Sequence, residues 1–289
     1  MTRQDTGFSL IELLVALIIA LGLSTMMFHL FHENERVIRD QTLIMEMQQT
    51  ARIVVSQIAD EVRMAGQGVP LSAASWDTTP SEAIAVILAS STASRIDFRA
   101  GLSNVETAVT SLVPIDFSLG VSRTLSVADG SGFSSGKFVY ISQSSTWLRA
   151  EVTNANSTSL TVTPRTTGTG NSAVHFPSAP TVSLEEAVSI YLSSGSVRRA
   201  TANDMTNPAA LGWSAANEIG KNFTALALSY YDAAGNPVAP NSLANRLAIA
   251  RVDIHLTVAA ASPLSNGTRP TYSLALRTIP RNVRIRSEP

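Results

Sequence analysis

Between Phe8 and Phe31 the chain runs for 24 residues with a single full charge, Glu12. As a helix this stretch is about 36 Å long at ~1.5 Å per residue, enough to cross a bilayer core of ~30 Å. It predicts a membrane span over residues 8–31. Beyond it the apolar density falls but the helical period continues. Val37, Ile44, Met47, Ala51, Val54, Ile58 and Val62 recur at steps of three, four or seven, which is the stripe of an amphipathic helix. One helix is therefore expected over residues 8–66, with an apolar half and a one-faced half. Its stop signal is "AGQGVP", where Gly66 and Gly68 can take a left-handed cap and Pro70 cannot continue the ladder.

After Pro70 the period shortens. "AIAVILAS", "SRIDFRA", "KFVYISQ", "TWLRAEVT", "SLTVTP", "AVSIYLS", "ALALSYYD", "IARVDIHLTVA" and "YSLALRTI" read as strands bounded by Gly, Pro, Asn or Ser. "YLSSGSVRR" and "YYDAAGNPV" read as hairpins from their Gly and Asn turns. The fold class expected is α+β: one long helix packed on an antiparallel, β-rich globular domain over residues 67–289. Residues 115–180 are the richest in Gly, Ser and Thr and carry closely spaced strand signals, so a small β module inserted into the main sheet is expected there.

Composition narrows the class. Of 289 residues, 45% are hydrophobic and 15% charged, with a net charge of −1, so no global field recruits nucleic acid or anionic lipid. The absence of cysteine excludes disulfides, thiolate metal sites and a cysteine nucleophile. Arg3 on the short side of the span and the mixed stretch "HENERVIRD" after it favour an N-terminus in the cytoplasm, with the rest of the chain then expected outside. A cleaved secretory signal peptide competes, with Gly22 and Ser24 as small residues before a cut. It ranks second, because it leaves Glu12 without purpose and the helical period does not stop at Ser24. An intramembrane carboxylate is costly and tends to mark a function.

The search for chemistry is short. "GFSSG" at 132–136 matches G-x-S-x-G but lacks the strand before and helix after that a nucleophile elbow needs, so Ser134 is read as a loop serine. His29 and His32 share a helix face without a third ligand, and His175 and His255 stand alone, so no metal site and no cofactor are expected. Asn156, Asn222 and Asn266 head N-x-S/T triplets that carry little information. Arg277, Arg281, Arg284 and Arg286 form the one basic cluster, read first as charges blunting a final strand edge and only secondarily as a nucleic-acid contact, with Tyr230 and Tyr231 nearby either exposed or in the sheet core.

"GFSLIELLVAL" resembles the N-terminal signature of type IV pilins and type II secretion pseudopilins. It has a short polar leader, residues 1–7, a Gly7–Phe8 junction and Glu12 as the fifth residue after it. The helix ending "ADEVRMAGQG" and the late "LSYYD" and "RNVRIR" segments resemble the PilW group of minor pilins. The resemblance implies cleavage after Gly7 by a membrane-embedded prepilin peptidase, methylation of the new amine on Phe8, and a role for Glu12 in subunit assembly. It also implies a non-enzymatic subunit whose partners are other major and minor pilins and the inner-membrane assembly machinery. Such a subunit waits in the bacterial inner membrane and ends in a pilus at the cell surface. The runner-up is a minor pseudopilin of a type II secretion system. Gly22, Ser24 and Thr25 lie where helices of this superfamily loosen. No proline stands there, and Gly22 reads equally well as a hinge or as a packing position.

Overall fold

The computed structural model describes residues 10–70, 82–144, 146–168 and 171–280. The chain is α+β, with one long helix followed by antiparallel sheet. Helix α1 spans Leu10–Arg63. It ends three residues before Gly66, and Gly66 and Gly68 then turn the chain at φ 86° and 75°. The Gly66 amide donates to the Arg99 carbonyl at 2.7 Å and so closes the helix end onto the next strand.

The strands are β1 (Arg95–Arg99), β2 (Glu106–Ala108), β3 (Ile115–Ser118), β4 (Arg123–Ser126), β5 (Phe138–Gln143), β6 (Thr146–Ala155), β7 (Ser159–Thr167) and β8 (Ala173–Phe176). They continue with β9 (Thr181–Leu184), β10 (Ala187–Ser193), β11 (Ser196–Asp204), β12 (Gly212–Trp213), β13 (Asn217–Gly220) and β14 (Phe223–Tyr231). A short helix, α2 (Leu243–Ala248), precedes β15 (Arg251–Ala259) and β16 (Thr271–Thr278). The chain divides into two compact units, Met1–Gln49 with Ala259–Thr271, and Thr50–Val258 with Tyr272–Pro289.

In the first unit, Asp40 on α1 accepts hydrogen bonds from the Ser265 amide at 3.0 Å and the Ser265 hydroxyl at 2.5 Å. These donors lower the pKa of Asp40, the hydroxyl foremost. The loop carrying Ser265 closes on itself through Ala260 to Pro270 and Leu264 to Thr268 backbone bonds.

In the second unit the last turns of α1 carry Ala51, Val54, Val55, Ile58, Ala59 and Val62, all at most 3% exposed. Beyond this apolar face, Arg199 on β11 donates to both carboxylate oxygens of Glu61 at 2.8–2.9 Å. Thr278 on β16 donates to the Ala59 carbonyl. The expected stripe is buried from Met47 onward, whereas Val37 is 52% exposed.

One sheet runs β1-β10-β11-β12, with β13 also on β11, and a second runs β14-β15-β16. The hairpin expected at "YLSSGSVRR" joins β10 to β11 with Ser194 and Gly195 both at positive φ, the two-residue turn that matches strand twist. "YYDAAGNPV" forms a turn around Asp232 but only a single bridge, Tyr231 to Pro237, before α2 begins. Pro237 and Pro240 have no amide to donate, so no ladder grows there. "AIAVILAS" also departs from expectation. It is a 3-10 turn, Glu82–Ile84, followed by one bridge from Ile87 to Phe98, although Ala83 to Leu88 are all buried.

Six strands in the order β2-β9-β5-β6-β7-β4 form a further sheet. Its two ends meet, because Val109 bridges Val127, Thr110 donates to Ser126 and Ala128 donates to Ala108. The sheet thus closes into a small barrel over residues 106–184, and residues 115–180 lie inside it. The ribbon β3-β8 contributes Ile115, Phe117, Val174 and Phe176 to the barrel core.

Candidate functional site

From Leu10 to Phe31 every residue of α1 is exposed. Large apolar side chains lie open along its whole length, from Leu10 at 82% to Phe31 at 65%. These 22 residues make about 33 Å of helix at ~1.5 Å per residue. The helix is long and apolar enough to cross a membrane. A surface of this kind is not stable against water, since each exposed large side chain forgoes about 1.5–3 kcal/mol of burial. Lipid or other apolar helices must cover it.

Glu12 is exposed in the first described turn of this surface and is its one full charge. An acid near a helix N-terminus gains about 0.3–1 kcal/mol from the aligned peptide dipoles. That is small beside the about 2.5–3.5 kcal/mol penalty for an acid at a bilayer centre. Gly7 and Phe8 lie outside the described residues, as does the leader. Farther along, a Cβ built on Gly22 meets nothing within 4 Å among the described residues. Thr25 bonds back to the Leu21 carbonyl at 2.8 Å across the same turn, a contact that slightly weakens and often bends a helix.

"GFSSG" is the loop between β4 and β5. Phe133 plugs the barrel core, Ser135 donates to the Thr153 carbonyl, and no helix follows. His32 lies 3.7 Å from Glu35 on an exposed face of α1, and His175 lies 2.7 Å from Asp116 across β8 and β3. Among the described residues no three His, Asp or Glu side chains group as metal ligands. Asn156 and Asn266 accept amides two residues on and so build turns, and Asn222 turns the chain at φ 63°. Tyr230 is sheet core, its hydroxyl donating to Thr92 at 2.9 Å, and Arg251 stacks 3.9 Å over the Tyr231 ring. Arg277 lies 3.6 Å from Asp253. Arg281, Arg284 and Arg286 lie outside the described residues.

A cleft of about 370 Å³ beside the barrel is lined by Lys137, Glu186, Arg199 and Asn203 among others. Two of these charges are already engaged, Arg199 by Glu61 and Glu186 by Ser103.

Sequence reasoning did not single out a buried charge cluster. Arg99, Arg149 and Glu185 are at most 3% exposed. Arg99 Nε donates to Glu185 Oε1 at 2.9 Å, and Arg149 Nε donates to Glu185 Oε2 at 2.6 Å. Tyr140 donates to the same carboxylate at 3.1 Å and to the Ala83 carbonyl. Burial first, and the Glu185 charge second, push the Tyr140 pKa well above its ordinary value. The available signal was charge inside apolar strands, "IDFRA" and "WLRAE".

No family model and no curated protein matches this chain.

Proposed function

We propose that this chain is a minor pilin, a structural subunit that primes or joins assembly of a type IV pilus. The observation that carries the reading is the fully exposed apolar helix from Leu10 to Phe31 with Glu12 as its one full charge. Read with the Gly7–Phe8 junction before it, this is a segment made to leave the bilayer for a bundle of like helices. In that bundle the Glu12 carboxylate faces the amine of Phe8 of a neighbouring subunit, exposed by cleavage after Gly7. Opposite charges 4 Å apart attract by about 4 kcal/mol at an effective dielectric of ~20. That is comparable with the cost of holding the carboxylate in an apolar medium, so the pair favours one register over unspecific adhesion. Before assembly the subunit is a single-pass protein of the bacterial inner membrane with its N-terminus in the cytoplasm.

Intact-mass analysis of the protein extracted from membranes tests the processing step. The expected species begins at Phe8 and carries one methyl group on its amine. A chain beginning near Thr25 would establish signal-peptidase cleavage, and an uncut chain from Met1 would establish a plain anchor.

A further inference from the structure

The barrel is joined to the rest of its unit by two chain crossings, residues 100–105 and 184–186. These are bonded to each other: the Ala100 amide donates to the Glu186 carbonyl at 3.1 Å, and the Glu186 carboxylate accepts the Ser103 amide and hydroxyl, both at 2.8 Å. Backbone bonds also enter this neck from the barrel, the Leu184 amide donating to the Val105 carbonyl and the Glu185 amide to the Phe138 carbonyl, both at 2.9 Å. On either side of the cluster, apolar groups cover the barrel wall. Tyr140 and Trp147 meet Val69, Ala83 and Ile84 on one side, and Phe138 meets Leu88, Ala187 and Met205 on the other. Apart from the Tyr140 hydroxyl, which donates to Ala83 and Glu185, these contacts are non-directional.

The buried charges between them are directional. Arg99 stands on β1 of the main sheet, Arg149 and Tyr140 on β6 and β5 of the barrel, and Glu185 in the neck. Arg99 also donates to the Ala85 carbonyl at 2.6 Å and the Pro208 carbonyl at 2.8 Å, and Arg149 donates to the Met205 carbonyl. Planar guanidinium groups fix both distance and angle to each acceptor. We infer that the Arg99–Glu185–Arg149 cluster is an orientational lock that holds the barrel at one angle to the sheet of β1, β10 and β11. Buried ion pairs contribute little net stability against apolar replacements, and their best attested use is to select one arrangement among several. The stoichiometry allows a clean test. Two guanidiniums share one carboxylate, so removing either arginine leaves the other paired one to one and cuts only its half of the lock.

The natural chain has no cysteine, so Ser157→Cys on the barrel and Asn217→Cys on β13, which pairs with β11 and is exposed there, can carry a pair of spin labels in the full-length protein in detergent micelles. The wild-type background is expected to give a single narrow distance peak. Arg99→Met and Arg149→Met are each expected to keep the circular-dichroism spectrum and a cooperative melt while losing the single peak. Glu185→Gln, which strands both guanidiniums, is expected to lose the peak and to melt earliest. A wild-type peak in both arginine variants would show that the apolar flanks set the angle and would overturn the lock. Loss of cooperative melting in both would also overturn it, because the cluster would then hold the fold itself.

Discussion

Truncating Ile58 to alanine tests whether α1 is the two-faced helix described here. Ile58 is fully buried, while Ile38, on the same helix, is 63% exposed. Removing the buried side chain beyond Cβ loses its transfer free energy and leaves a cavity, for which buried Ile→Ala changes cost about 2–5 kcal/mol. In a domain of this size each kcal/mol lowers the melting temperature by about 2–4 °C, so the expected drop is about 4–20 °C. Ile38→Ala, with no packing to lose, is expected to stay within about 0.5 kcal/mol. Thermal melts of the two full-length variants in detergent, followed by circular dichroism, provide the comparison. Equal shifts, or an Ile58→Ala melt within about 0.5 kcal/mol of wild type, would refute the assignment of the buried face.

Two further outcomes follow from local geometry. A Cβ at Gly130 would lie 2.0 Å from the Asn156 carbonyl oxygen, so Gly130→Ala is expected to destabilise the barrel by about 1–3 kcal/mol or more in chemical denaturation. A melt unchanged by Gly130→Ala would mean that the loop before β5 is not held where it is described. Burial foremost raises the pKa of both Tyr140 and Tyr230. The folded state therefore holds both phenols neutral while the unfolded chain ionises near about pH 10. Their contribution is complete below that pH and is lost above it. Urea midpoints are expected to fall on the alkaline side, and to fall less when Tyr140→Phe and Tyr230→Phe are combined. An equal fall in both chains would place the alkaline sensitivity elsewhere.

The long helix was legible because a period of 3.6 persists from the apolar run through Val54, Ile58 and Val62 to the glycines that end it. The longer strands were legible for the same kind of reason: alternation in "IARVDIHLTVA" survives as β15, and "SRIDFRA" as β1. "AIAVILAS" misled because a run of small and branched apolar residues carries no period, and burial alone does not choose between a strand and a tight turn. Barrel closure was not legible, since Val109 and Val127 are distant in sequence and nothing in either segment names the other. The buried cluster was missed because arginine and glutamate are ordinarily surface residues, and only tertiary pairing makes their burial tolerable. At the candidate assembly site the spacing of Gly7, Phe8 and Glu12 was readable directly, because the proposed chemistry is laid out along one short stretch of sequence. The full exposure of the surrounding apolar surface emerged only with the fold.

The central claim is that Glu12 acts between subunits, and the ratio of a Glu12 variant in sheared filaments to that in the membrane pool measures this most directly. Glu12→Gln keeps the size and hydrogen-bonding capacity of the side chain but removes the charge. It is expected to remain membrane-inserted and to be cut after Gly7, yet to be depleted from the filament fraction relative to wild type, with Glu12→Leu depleted at least as strongly. If both variants reach the filaments at the wild-type ratio, the ion pair between subunits is wrong and Glu12 serves another step.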